Sequence, residues 1–304
     1  MIVCHVTTMP INKMGSIANL IFNNCYGKHI WCDLYARPPS ADIYILHCFK
    51  NQLHFPNFIL WEKPKSSKVI SLIHSSEPCM PAKCSDLVVT ISRTWQTRLK
   101  NLYNIDSEMI YGAIDVDKYK DVQIDYTKKV FGKITRPEIG KYYKDWNYLI
   151  KNFLNKNKDA ECRIISNGYK KLNYLKHERM NWIEGVEIDD IETKKKELSR
   201  LSLYTECHND GGTAFIDTFC VAMLEGMACG LPVVLYKGLQ EPMAEVLGEG
   251  GIICNDISEY MYELNRMLND IELKEVWGLK AKERAKHFNK EQLIYSWNRL
   301  LKKI

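Results

Sequence analysis

The chain has 304 residues, 46% of them hydrophobic and 26% charged. Ordinary domain sizes make that about two domains, each able to bury its own core, and the balance excludes disorder, collagen-like repeats and simple coiled coil. Lysine and arginine number 42 against 37 aspartates and glutamates, and the resulting +5 is spread without any basic block. That excess suits an anionic small ligand or a membrane surface and is too dilute for nucleic acid.

The opening MIVCHVTTMP has neither a basic region ahead of its apolar stretch nor a small-residue cleavage pattern. No window reaches the ~18 apolar residues that span a bilayer, so the expected location is cytoplasmic. The 11 cysteines are scattered, with no C-x-x-C pair and several inside apolar runs. They read as buried thiols in a reducing compartment rather than a disulfide framework or zinc site, and no metal is expected.

Short β-branched segments alternate with longer segments of helical period, the pattern of a parallel-sheet α/β protein. Strands are expected at IVCHV near Ile2, HIWCDLY near Ile30, ADIYIL near Ile43, KVISLI near Val69 and DLVVTI near Val88. Gly15 to Tyr26 and Ser92 to Tyr103 read as helices, the second with Ser92 as N-cap directly after a strand. A polar stretch, VDKYKDVQIDYTK, separates two α/β series and sets the expected domains at 1–118, 119–285 and a terminal helix at 286–304. The second series runs KVFGKI, a helix from Tyr143 to Leu154, ECRIIS, a helix near Tyr169, NWIEG and a helix from Asp189 to Leu201. It continues through SLYTECH, a helix from Asp217 to Ala228, LPVVLY, a helix near Glu241 and GGIIC. The last helix carries Leu293, Ile294, Trp297, Leu300, Leu301 and Ile304 on one face, with Asn289 and Gln292 in capping-box spacing. It reads as packed against core; Lys302 and Lys303 also suit a peripheral membrane contact.

The most informative segment is DTFCVAMLEGMACGLPVV, Asp217 to Val234, preceded by HNDGGTAFI. Gly211 and Gly212 permit close backbone approach, Asp217 or Thr218 can cap the helix, Gly230 fits the residue just past its end, and Pro232 bars continuation. A helix that starts after a strand and a glycine-containing loop aims its free N–H groups at an anion, typically a phosphate. Glu225 lies among apolar residues. A carboxylate buried without partners would cost several kcal/mol, so it should meet donors such as ligand hydroxyls or sit at a cleft edge. Asp217 and Glu225, eight positions apart, would lie about 12 Å apart along a helix, too far to act on one atom and able to grip two ends of an extended ligand.

This acid, the seven residues after it and then EGMACGLPVV resemble the signature of retaining, nucleotide-sugar-dependent glycosyltransferases of family 4, which have the GT-B fold. DLVVTISRTWQTRLK with IYGAIDVDKY resembles the end of that family's first domain, FGKITRPEIGK the loop that opens its second, and GLQEPMAEVLGEGGIIC the stretch after the signature, with Glu245 at the family's acidic position. The likeness is strong from about Val69 to Cys254 and architectural elsewhere. It implies two Rossmann-like domains facing across a cleft, with the C-terminal helix crossing back to the first.

By the resemblance, Asp217 and the amides of Thr218, Phe219 and Cys220 hold the donor sugar and diphosphate. Glu225 holds the ribose hydroxyls, and Arg136 and Lys141 stabilise the leaving diphosphate, with Lys144 as a second candidate cation. His74 resembles the first-domain histidine that reaches the donor sugar; His47 is a candidate for the acceptor side. Gly15 lets backbone approach the diphosphate or acceptor, and His208 ends a strand beside the glycine loop. The first acid is Asp where the family usually has Glu, shortening the reach by about 1.5 Å. The implied activity is metal-independent transfer of a hexose, with retention, from a UDP- or GDP-linked sugar to a hydroxyl of a glycan, lipid or protein, with no cofactor beyond the donor. The alternatives are a non-catalytic nucleotide-sugar-binding protein and a sugar-nucleotide epimerase of the same fold.

Overall fold

The computed structural model describes residues 1–7, 16–33, 36–48, 65–74, 85–135, 146–166, 177–187, 190–208 and 219–304. They divide into two compact units. Unit 1 holds residues 1–114 and 288–304 with the segment ending at Phe219; unit 2 holds 115–216 and 220–287. Each is built on one six-stranded, all-parallel sheet, the α/β class expected from the alternating pattern.

In unit 1, β1 (Ile2–Thr7), β2 (Lys28–Asp33), β3 (Ile43–Cys48), β4 (Lys68–Ile73), β5 (Leu87–Thr90) and β6 (Glu108–Met109) pair in the order β2-β1-β3-β4-β5-β6. Both faces of such a sheet are covered, so its strands are nearly continuous apolar runs. β1 and β4 are buried at every position after the first. Cys4, Val6, Tyr44, Leu46, Val69, Ile73 and Leu99 make the core on one face. Helix α1 (Ser16–Asn24) buries Ile17, Ala18 and Ile21. Helix α2 (Arg93–Tyr103) starts where its sequence indicates: Ser92 Oγ accepts from the Trp95 amide at 3.4 Å, and Asn104 in the left-handed region (φ 52°) ends it.

Unit 2 contains, in chain order, β7 (Val130–Thr135), α3 (Trp146–Lys156), β8 (Glu161–Ser166), β9 (Met180–Ile183), α4 (Ile191–Leu198), β10 (Leu203–Cys207) and α5 (Val221–Cys229). There follow β11 (Val233–Tyr236), α6 (Glu241–Leu247), β12 (Ile252–Cys254), α7 (Ile257–Asn269) and α8 (Ile271–Ala285). The strand order β12-β11-β10-β7-β8-β9 runs outward in both directions from the β7/β10 pair. This is the doubly wound, dinucleotide-fold order, and it leaves a crevice outside the carboxyl ends of those two strands. Phe131, Ile164, Leu203, Val234, Tyr260 and Leu264 are among its core residues, and the rings of Phe131 and Phe153 meet edge to face at 5.4 Å.

The chain then returns to unit 1. The Ile114 amide donates to the Phe288 carbonyl at 3.1 Å, and helix α9 (Lys290–Lys303) follows, its Asn289 cap accepting from the Gln292 amide at 2.9 Å. It buries Leu293, Trp297, Leu300 and Leu301, and Asn298 Oδ1 accepts from the Tyr26 amide at 2.6 Å just past α1. Ile304, counted with this apolar face in the sequence, stays 38% exposed because the helix has ended. Among the described residues no helix is long and apolar enough to cross a membrane. Cys4, Cys25 and Cys254 are buried thiols, and burial pushes each up to about 12.

Candidate active site

The crevice of unit 2 is defined by the ends of β7 and β10. Residue 136 follows the last residue of β7 directly, and residues 208–220 join β10 to α5. Arg136, Lys141, Lys144, Asp217, Thr218 and Gly15 lie outside the described residues. In sequence, Arg136 and Asp217 belong to the connections that follow β7 and β10.

Helix α5 begins later than its sequence suggests. Its first residue is Val221 and its N-cap is Cys220, so the cap expected of Asp217 or Thr218 falls to Cys220, whose side chain makes no capping hydrogen bond. The 12 Å estimate between Asp217 and Glu225 assumed one continuous helix and does not carry over. The physical reason is the apolar run itself: Phe219 and Cys220 are 7% and 6% exposed, and their burial sets where the chain turns inward. The Phe219 ring packs edge to face on Phe288 at 5.6 Å. The first-turn amides of α5 have no intrahelical acceptor. At the other end Gly230, at φ 91°, closes the helix as expected. Gly226 lets α5 lie directly on β10, since a Cβ there would come within 2.7 Å of the Tyr204 ring.

Glu225, one turn into α5, is 3% exposed. Its Oε1 accepts from Lys194 Nζ of α4 and from the Tyr119 hydroxyl, each at 2.9 Å. Burial, and then the Glu225 charge, push the Tyr119 phenol well above its ordinary range, so it remains a donor. Among the described residues nothing donates to Oε2. The sequence required donors for this carboxylate; two come from the protein, on one oxygen, and the other oxygen is left to accept.

A second buried carboxylate sits on the switch point itself. Glu206 of β10 is 2% exposed, and its Oε2 meets Lys133 Nζ of β7 at 3.1 Å and His208 Nε2 at 2.9 Å. Its Oε1 accepts from the Tyr204 hydroxyl at 3.1 Å. Burial raises its pKa, but Lys133 and His208 outweigh that and hold it at about 2. Lys133, Lys194, Tyr119 and Glu206 were not singled out from the sequence. For Lys133 and Glu206 the available signal was charge inside otherwise apolar strands, which demands a partner without naming it, whereas nothing local marks Lys194 or Tyr119.

In unit 1, His74 lies just past β4, and its Nε2 is 3.0 Å from His47 Nδ1. His47 Nε2 is 2.9 Å from His5 Nδ1, and His5 Nε2 is 2.7 Å from His29 Nδ1. Burial lowers all four pKa values, to about 3 for His5 and His74. The two histidines selected from the sequence thus belong to a set of four.

No family model matches the sequence, and no curated protein matches it. Solved structures do. Anabaena Alr3699/HepE in complex with UDP and glucose matches over 100% of both chains at 12% identity and a TM-score of 0.71. A variant of S. aureus TarM in complex with fondaparinux, α-GlcNAc-glycerol and UDP matches 84% of this chain and 55% of its own at 15% identity and a TM-score of 0.67. Sucrose-phosphate synthase from Thermosynechococcus elongatus matches 86% of this chain and 73% of its own at 12% identity and a TM-score of 0.66. The chain therefore spans little more than half of TarM. At these identities the likeness is one of fold, the two-sheet architecture of GT-B glycosyltransferases.

Two outcomes follow. Lys194→Met removes one partner of a buried ion pair and is expected to cost about 3–5 kcal/mol in urea unfolding; a loss below about 1 kcal/mol would mean that Glu225 does not depend on Lys194. His5 and His74 stay neutral when folded to about pH 3 but protonate near 6.5 when unfolded. The unfolded chain therefore binds more protons below pH 6.5, and stability falls as pH drops from about 6.5 toward 3, with Glu206 adding a further loss between about 4.5 and 2. Thermal midpoints should decline between pH 6.5 and 5, above the main carboxylate range; a flat profile there contradicts the buried neutral imidazoles.

Proposed function

We propose that the chain is a retaining glycosyltransferase, similar to family 4, that moves a hexose from a nucleoside diphosphate sugar to an acceptor hydroxyl. The observation that carries this reading is Glu225: a carboxylate fixed through Oε1 by Lys194 and Tyr119, with Oε2 left to accept, on the helix that follows β10 at the switch point. A ribose diol is the donor pair that such an oxygen fits. The diphosphate then meets the free amides at the start of α5, whose dipole favours negative charge.

In this reading Arg136 and Lys141, with Lys144 as a further cation, stabilise charge developing on the leaving β-phosphate, so that side-chain cations serve where a metal otherwise would. Asp217 holds hydroxyls of the sugar, and the amides that the resemblance assigns to the diphosphate, those of Thr218, Phe219 and Cys220, lead in sequence into the first-turn amides of α5, which begins at Val221 and shares that role. The bond from acceptor oxygen to the anomeric carbon forms on the face that the phosphate leaves, and the acceptor proton passes to a phosphate oxygen. By the same resemblance His74 is assigned to the donor sugar, and Gly15 to the diphosphate or the acceptor. The fold is shared with structures solved with UDP and glucose and with UDP and α-GlcNAc-glycerol, which supports UDP as the first nucleotide to try. A glycan, lipid or protein hydroxyl accepts the sugar.

A thermal-shift panel of UDP-, GDP- and ADP-sugars tests this. One of them at 100 times its Kd should stabilise the chain by about 2.7 kcal/mol, and Glu225→Gln and Arg136→Ala should each remove most of the shift. Unchanged shifts in both variants would refute the placement. Tight binding with neither transfer nor hydrolysis of the donor would leave a binding protein instead of an enzyme.

A further inference from the structure

Four of the eight histidines form one continuous chain across the sheet of unit 1, one from each of β2, β1 and β3 and the last just beyond β4. The register explains how. His29 of β2 lies opposite Val3 of β1, and His5 is two residues further on; His5 lies opposite Ile45 of β3, and His47 is two further on. His47 lies opposite Leu72 of β4, and His74 is again two further on. A two-residue step keeps a side chain on the same face of a strand. Repeated three times, it carries the imidazoles diagonally from the edge strand to the carboxyl edge and across the β1/β3 pair, where this sheet's own order turns. The Phe22 ring of α1 packs against His5 at 5.2 Å and against His29 at 6.1 Å, closing the face over the start of the chain.

The direction of such a chain is fixed at one end. His29 Nε2 is 3.2 Å from the Tyr26 carbonyl, which can only accept, so His29 carries its proton on Nε2 and offers Nδ1 as acceptor. His5 then donates from Nε2 to His29, His47 from Nε2 to His5, and His74 from Nε2 to His47. A neutral imidazole has one N–H, so each donation leaves that ring's Nδ1 unprotonated. The opposite direction would set the His29 Nε2 lone pair against the carbonyl oxygen. Burial keeps the rings neutral, as this count requires.

We propose that the His29–His5–His47–His74 chain is a directional relay that fixes His74, at the carboxyl edge of the unit 1 sheet, as the Nε2–H tautomer with Nδ1 unprotonated. His29 and the Tyr26 carbonyl anchor it from the far edge. His5, His29 and His47 are positioning residues acting through His74. That His74 serves the reaction rests on the glycosyltransferase reading; the direction of the chain does not.

The test uses the full chain labelled with 15N-histidine and long-range proton–nitrogen spectra at pH 7. His5, His47 and His74 should each be neutral with the proton on Nε2. In His29→Phe the first acceptor is gone, and His74 should become a mixture of tautomers. His29→Asn, whose side-chain oxygen can still accept from His5, should restore the single tautomer. With a sugar nucleotide that the wild type turns over, His29→Phe should lower kcat about tenfold with KM little changed, about 1.4 kcal/mol in the transition state, and His29→Asn should recover it. An Nδ1–H or charged His74 in the wild type overturns the proposal, as does a His74 tautomer unchanged in His29→Phe. If His29→Phe does not fold, the wild-type spectrum decides by itself. If no sugar nucleotide is turned over by the wild type, the glycosyltransferase reading fails while the tautomer spectra still decide the relay.

Discussion

Glu225 is 3% exposed on a helix whose other residues are apolar, and its charge is tolerable there only because Lys194 and Tyr119 both donate to one of its oxygens. That requirement ties together three parts of unit 2 that are far apart in sequence: the turn ending at Tyr119, helix α4 and helix α5. It also fixes the carboxylate's orientation, so that one oxygen is spent on the protein and the other has no donor among the described residues. A buried pair of this kind adds little net stability compared with well-packed apolar residues, but breaking it is costly. Its value lies in the geometry that it enforces.

The same logic recurs at the centre of the sheet. Lys133 and His208 hold Glu206 ionised between β7 and β10, the two strands where the order turns. An all-parallel sheet covered on both faces leaves no water to solvate such groups, so each must find a partner across a strand. The crevice that the doubly wound order opens at the carboxyl ends is thus flanked by strands pinned to one another by charge. Unit 1 meets the demand differently, with neutral imidazoles that satisfy one another in sequence.

Much of the architecture was legible in the residues. The strands KVISLI and LPVVLY, the Ser92 and Asn289 caps and the Gly230 helix end all rest on local chemistry, and the structure has each where that chemistry places it. The start of α5 was misplaced because a good capping residue at Asp217 or Thr218 competes with the burial of Phe219 and Cys220, and burial decides. The partners of Glu225 were not legible: Lys194 is 31 residues away and Tyr119 is 106, and no periodicity links them. His47 and His74 could be selected as strand-end histidines, but His5 and His29 gain meaning only from the register of four strands, which a single sequence does not contain.

The account stands or falls on where a nucleotide binds, and a crystal structure of the chain with UDP measures that directly. It predicts the diphosphate on the first-turn amides of α5, with a ribose hydroxyl donating to Glu225 Oε2 while Lys194 and Tyr119 stay on Oε1. UDP bound away from α5, or Oε2 closed off by a protein side chain in the complex, would contradict it.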